Sequence, residues 1–172
     1  MTNTRRRIRE EIESNPGVHF NALVRELSLA TGQVQYHLHR LVDADEVVRH
    51  ERYGRTHLFP PGYDEWERDA LSVLRRETAG AIAAAIYANE PARPDEVADT
   101  LDLPRSTLEH HLDHLESCGV VVRRRTTGNR VLLELARPSE TVALLEATSP
   151  DPKARLIDRF ERLVDSLFDE RA

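Results

Sequence analysis

The stretch "LSLATGQVQYHLHRLVDADEVVRHERYGRTHLF", residues 27–59, lies without a gap on "LDLPRSTLEHHLDHLESCGVVVRRRTTGNRVLL", residues 101–133, when the chain is slid against itself by 74 positions. Ten positions coincide: Leu27/Leu101, Leu29/Leu103, His37/His111, Leu38/Leu112, Leu41/Leu115, Val47/Val121, Val48/Val122, Arg49/Arg123, Gly54/Gly128 and Leu58/Leu132. Upstream, Ile8/Ile82, Ile12/Ile86 and Asn15/Asn89 keep the same register. Matches that recur at one offset, most of them apolar, mark two copies of one folding unit.

The elements of that unit follow from local chemistry. Arg5 to Ser14 carries Ile8 and Ile12 four residues apart, and Pro16 ends the helix by disfavouring an α conformation at Asn15. A second helix, near His19 to Leu27, buries Phe20, Leu23, Val24 and Leu27. The turn "SLATG" leads to a third helix running to about Asp43, with Val34, Leu38 and Leu41 at helical spacing. Extended segments at 46–51 and 55–59 follow, with Gly54 at the tip of the hairpin between them. The second copy offers a helix near Asp69 to Ala88, then "RPDEVADTL" with Pro94 at the first helical position and Asp95 and Glu96 at the positive helix end. Its third helix lies in "PRSTLEHHLDHLESCG", stopped by Gly119, and its hairpin is "VVVRRR" and "NRVLLEL" around "TTG".

Three helices and a hairpin per copy predict a mainly α fold with small β-hairpins (α+β), built as two tandem winged helix-turn-helix units plus a C-terminal amphipathic helix. The expected limits are 1–60 for the first unit, 61–68 for a linker, 69–136 for the second unit and 137–172 for a C-terminal helical segment. Pro60 and Pro61 stiffen the link, and Tyr63 and Trp66 offer it apolar surface. The small-residue run "AGAIAAAIYA" (79–88) serves either packing within the chain or a subunit contact.

The pattern Gln/Thr-Val/Leu-x-x-His-Leu-x-x-Leu, followed by a Val- and Arg-rich hairpin with Gly, resembles winged-helix repressors of the ArsR and MarR kinds. The tandem arrangement is similar to the two-unit winged-helix transcriptional regulators of haloarchaea, and the resemblance covers residues 5–59 and 79–135. It implies that the third helix enters the major groove of double-stranded DNA while the hairpin touches flanking backbone or the minor groove. On that pattern Thr31, Gln33, Gln35, Tyr36, His39 and Arg40 face outward. Gln pairs bidentately with adenine, Thr and Tyr offer hydroxyls and apolar edges, and Arg40 near the helix end is placed to meet a phosphate. The first wing adds Arg49, Arg52, Arg55 and His57, with Tyr53 at its tip.

In the second unit the outward residues are Arg105, Ser106, Thr107 and His110, beside Glu109, Asp113 and His114, and the wing holds Arg123, Arg124, Arg125 and Arg130. Carboxylates at 109 and 113 would face phosphates of like charge. Two readings stay open: a second full reading head, or a wing that touches backbone while the helix reads little or packs on protein. Arg5, Arg6, Arg7 and Arg9 either neutralise phosphates or are matched by Glu10, Glu11 and Glu13.

Composition bounds these readings. The net charge of -6 does not advertise a nucleic-acid binder, but residues 1–60 hold nine Arg against eight acids, whereas 61–136 hold nine Arg against fourteen. Of 24 basic residues only Lys153 is lysine, a composition expected of a salt-loving archaeon. No run of 18 apolar residues occurs, and the opening "MTNTRRRIREEIE" has a positive region without an apolar core after it, so a soluble, cytoplasmic protein is expected. The lone Cys118 rules out an intrachain disulfide and multi-cysteine zinc sites, and it reads as a small core residue.

His110, Asp113 and His114 share a helical face at a spacing that suits zinc. No second histidine cluster supports it outside the third helices and wings, and His37 and His111 read as half-buried packing residues, so no metal or cofactor is expected, and the sequence identifies no small-molecule ligand. A phosphate-binding Gly-rich loop and a nucleophile in a recognisable setting are both lacking, which argues against an enzyme. In "KARLIDRFERLVDSLFDE" (153–170), Leu156, Phe160, Leu163 and Leu167 repeat at 4, 3, 4. That helix either docks on its own body or crosses its copy in a homodimer, which would set two reading helices about one DNA turn apart on a palindromic site. The leading reading is a sequence-specific DNA-binding transcriptional regulator. The rivals are a winged-helix protein-interaction module and, behind it, a metal-responsive repressor.

Overall fold

Ile8 and Ile12 are completely buried on one side of α1 (Asn3–Ser14), the first element of the computed structural model, which describes residues 3–148. The chain divides into two compact units between Ser72 and Val73. In the first, Gly17, at φ 80°, turns the chain so that its N–H reaches the Leu58 carbonyl at 2.8 Å. The next two residues form β1 (Val18–His19), an element absent from the expected pattern. The helix α2 (Phe20–Leu27) follows directly; His19 caps it, its Nδ1 accepting the Ala22 N–H at 3.2 Å. Ser28, left-handed at φ 52°, ends α2, and α3 (Thr31–Asp43) starts after Ala30.

The wing consists of β2 (Val48–Arg52) and β3 (Arg55–Phe59), with Tyr53 and Gly54 both at positive φ in a two-residue tip. Strand β1 pairs with the far side of β3, Val18 opposite Leu58, giving a three-stranded antiparallel sheet in the order β1-β3-β2. Val34, Leu38 and Leu41 of α3 join Ile8, Ile12, Val18, Leu23, Val47 and Leu58 in one core, and Phe20 and Val24 pack on it half-buried.

The expected linker is helical from Glu65 onward, because α4 (Glu65–Leu74) is capped by Asp64, whose carboxylate accepts the Glu67 N–H at 2.8 Å. The helix expected over 69–88 is therefore two. It breaks at Arg75 and Arg76 before α5 (Glu77–Ala88), and Gly80 marks why the junction is tight: a Cβ there would stand 2.9 Å from the Leu74 carbonyl oxygen. Then come α6 (Pro94–Thr100), α7 (Arg105–Ser117), β4 (Val121–Arg125), β5 (Val131–Leu135) and α8 (Pro138–Thr148). The small residues of α5 are mostly buried, and the helix packs on α6, α7, β5 and α8. Cys118 is buried, its thiol donating to the Leu115 carbonyl.

Several backbone features recur at the 74-residue offset with different side chains. Ser28 and Asp102 are both left-handed, as are Asp45 and Gly119. The bonds Glu46 N to Leu41 O and Val120 N to Leu115 O both measure 2.9 Å. At the second hairpin the correspondence slips. Its tip holds three residues, 127–129, closed by Thr126 N to Arg130 O at 3.0 Å, and the left-handed residue is Asn129 rather than Gly128. Leu133, opposite Arg123, takes the place that Leu58 holds opposite Arg49. The identity of Leu58 with Leu132 is thus not a structural equivalence: Leu58 and Leu133 are fully buried, Leu132 only partly. Leu156, Phe160, Leu163 and Leu167 lie outside the described residues.

Because Leu38 is wholly enclosed in the first unit, Leu38→Ala is expected to cost that unit about 2–5 kcal/mol. Hydrogen exchange at the amides of α1 and α3 in the full chain reads this out, with the amides of the second unit as internal control.

Candidate nucleic-acid interface

A helix of 13 residues packed through one side must leave the other in solvent. In α3 the buried side is Val34, His37, Leu38 and Leu41, and Thr31, Gln33, Gln35, Tyr36, His39 and Arg40 are all exposed. The structure brings these six expected residues onto one open surface. Tyr36 is 55% exposed and meets the His37 ring edge to face at 5.1 Å, while the Arg40 guanidinium carbon stands 5.3 Å from the Tyr36 ring centre. The acid closest in sequence, Asp43, pairs instead with His39 at 3.5 Å.

The first wing divides its basic residues. Arg49 and Arg55 are exposed and pair with no carboxylate among the described residues. Arg52, expected to face DNA, is instead tied to α4: its guanidinium binds Asp69 at 3.2 Å, and His50 holds the other oxygen of that carboxylate at 2.7 Å. His57 is also withdrawn, buried with its Nδ1 donating to the Gly17 carbonyl at 2.9 Å. Since that carbonyl can only accept, the proton sits on Nδ1. Asp69 is a support of the wing that no local pattern reveals, since its contacts span 17 and 19 residues, whereas His19 acts locally as the cap of α2. The N-terminal arginines are occupied as well. Arg6 pairs with Glu10, Arg9 with Glu13 and Glu46, and Arg7 donates to the Leu27 carbonyl.

In the second unit α7 and its wing neutralise each other. Arg123 sits among Glu109 at 2.6 Å, Glu116 at 2.6 Å and Asp113 at 3.0 Å, all three from α7. The Arg123 hydrogen bond holds the Glu109 carboxyl below its ordinary pKa, against the opposing effect of burial. Arg105 also leans on Glu109 at 3.1 Å, Arg124 on Glu134 at 2.7 Å, and Arg125 donates to the Asn129 side chain at 3.0 Å. Of the expected contacts here, Ser106 and His110 are exposed, Thr107 is half-buried, and Arg130 has no acidic partner among the described residues. Arg105 and Arg130 do come together, with Arg93, Asp95 and Val131, around an open cleft of about 320 Å³.

His110 and His114 stack at 4.5 Å, but Asp113, their expected companion, is engaged by Arg123. Burial, then the neighbouring His110, His114 and Arg76, hold His111 below the usual imidazole pKa.

These features define the first unit as a helix-turn-helix domain with a three-stranded wing, presenting a polar and aromatic α3 that its own carboxylates leave largely uncovered. The comparison with known families agrees: residues 2–71 match the family model HTH_HVO_0163_N, an N-terminal HTH domain. An uncharacterised HTH-type transcriptional regulator of Methanocaldococcus jannaschii is similar as well, 26% identical over 132 residues, which is 77% of this chain and 33% of that protein. The chain therefore spans about a third of the length of that relative. No helix among the described residues is long and apolar enough to cross a membrane.

His111 supplies a pH dependence whose sign is fixed. With its folded pKa depressed, the unfolded chain binds the extra proton first, so His111 contributes full stability above about pH 6.5 and loses it on acidification below that. Urea unfolding of the second unit, followed at about pH 7.5 and about pH 5.5, is expected to show a drop that shrinks in His111→Leu. An identical drop in both proteins would contradict this.

Proposed function

We propose that this chain is a DNA-binding transcriptional regulator in which α3 reads base edges in the major groove and Arg49 and Arg55 anchor the first wing on flanking phosphates. The observation that carries the reading is the exposure of Thr31, Gln33, Gln35, Tyr36, His39 and Arg40 on one helix whose other side is locked in the core. Such a surface, on which the peripheral His39–Asp43 contact is the only ion pair among the described residues, suits bases more than solvent, because a merely solvated helix face usually carries Glu and Lys pairs. The family match and the similarity to the M. jannaschii HTH-type regulator support the same class. The function is one of binding, with no catalytic step assigned to it.

The recurrence of Ser28, Asp45, Leu41 and Glu46 geometry at a 74-residue offset supports reading the chain as a duplicated winged-helix unit of the ArsR or MarR kind. The copies have diverged in use. Three α7 carboxylates around Arg123 oppose phosphate approach, so the second unit does not read bases, and its α7 face suits a protein contact better. A homodimer through Leu156, Phe160, Leu163 and Leu167 is part of the proposal, with an inverted-repeat site as its signature.

The test is selection from a random duplex pool by the purified chain, repeated with the Gln33→Ala/Gln35→Ala double variant. Wild type is expected to enrich a motif, and the variant to keep salt-dependent retention while losing preference at one or two positions. Unchanged preference in the variant, or retention without any motif and only at low salt, would overturn the reading.

A further inference from the structure

Resting on the proposal that α3 reads bases, we infer that Arg40 is a guanine-reading residue held in register by Tyr36, rather than a phosphate contact at the helix end. Sequence position suggests the latter, since Arg40 lies three residues before the end of α3. The geometry moves its charge elsewhere. Helical side chains lean toward the N-terminus and cover the turn preceding their own Cα. The Arg40 guanidinium does so here, lying 5.3 Å from the centre of the Tyr36 ring, one turn back. It thereby joins Gln33 and Tyr36, which occupy positions i, i+3 and i+7 with Arg40 along one exposed stripe.

Three further observations fit a base contact. A phosphate accepts a cation in many orientations, but bidentate bonding to the O6 and N7 of guanine needs the planar fork well placed, and a cation–π contact with an aromatic ring narrows where that fork can lie. No carboxylate among the described residues pairs with Arg40, and Asp43, the acid closest in sequence, lies 3.5 Å from His39. Tyr36 is itself steadied, edge to face, by the buried His37, so the platform is continuous with the core. Backbone attraction has its own residues, Arg49 and Arg55, on the wing.

The experiment uses the full chain and the duplex it selects from the random pool. Arg40→Lys keeps the charge and loses the fork, and Tyr36→Leu removes the platform while keeping bulk; both positions are exposed, and thermal melting checks that each variant folds as wild type does. The expected result is that Arg40→Lys loses roughly 5- to 150-fold discrimination for guanine at one position of the motif. Its binding to unrelated duplex is expected to stay within about twofold, because the charge is kept. Tyr36→Leu is expected to relax the same position. A motif that Arg40→Lys recovers unchanged would overturn the assignment and leave the parent reading intact. A wild-type protein that enriches no motif would overturn both.

Discussion

Burial of one side of α3 is the constraint from which the interface follows. Val34, Leu38 and Leu41 are enclosed together with Ile8, Ile12 and Leu58, and each such side chain contributes about 1.5–3 kcal/mol by leaving water. That is as much as a good bidentate base contact supplies in discrimination, about 1–3 kcal/mol. The core therefore holds the helix more firmly than any one DNA contact could pull it. The exposed side is a fixed array, and the angle at which Gln33, Tyr36 and Arg40 leave the helix is set by residues buried on its other side.

The wing is fixed by the same core through a different bond. Strand β1 pairs with β3, Gly17 N–H reaches Leu58 O, and His57 returns a hydrogen bond to Gly17 O, so the sheet closes on α1's exit and not only on its own turn. Asp69 adds a polar tie from α4 to His50 and Arg52. Arginine counts alone would have made the wings alike. What separates them is the supply of nearby carboxylate: among the described residues Arg49 has none, while its counterpart Arg123 has three within 3.0 Å. An arginine so held would have to leave three charge-assisted hydrogen bonds to meet a phosphate, and the acids left behind would repel it.

Most of the fold was legible because it rests on periodicity and punctuation. Ile8/Ile12 and Val34/Leu38/Leu41 sit at helical spacing, Pro94 opens a helix, and Gly119 closes one. The legible part of the candidate site was likewise the part set by helix geometry, the exposure of the six outward residues of α3. Other features were hidden for physical reasons. Ser28, Asp45 and Asp102 adopt left-handed backbone without being glycine, so no residue type announced them. The two-residue β1 is too short for a period and forms only because β3 offers a partner. One extra tip residue in the second hairpin shifted the register while leaving Gly128 and Leu132 in accidental alignment with Gly54 and Leu58. The pairings of Arg52 and Arg123 depend on residues brought close by folding, between 7 and 17 positions away in sequence.

The same arithmetic bears on how an acidic chain could hold DNA at all. Nonspecific affinity scales with the phosphates neutralised, each contributing about -0.9 to the slope of log affinity against log salt. If every wing and N-terminal arginine were available, attraction to the backbone would dominate and would discriminate poorly between sequences. With Arg9 and Arg52 paired to carboxylates in the first unit and Arg123 to three in the second, that contribution is reduced in both. Little is then left to hold the protein on the wrong sequence, because a net charge of -6 gives no general attraction to a polyanion. Internal pairing of arginines, which at first sight weakens the case for DNA binding, is thus compatible with the proposal that α3 reads bases, because a smaller backbone contribution leaves a larger share of any binding energy to base contacts.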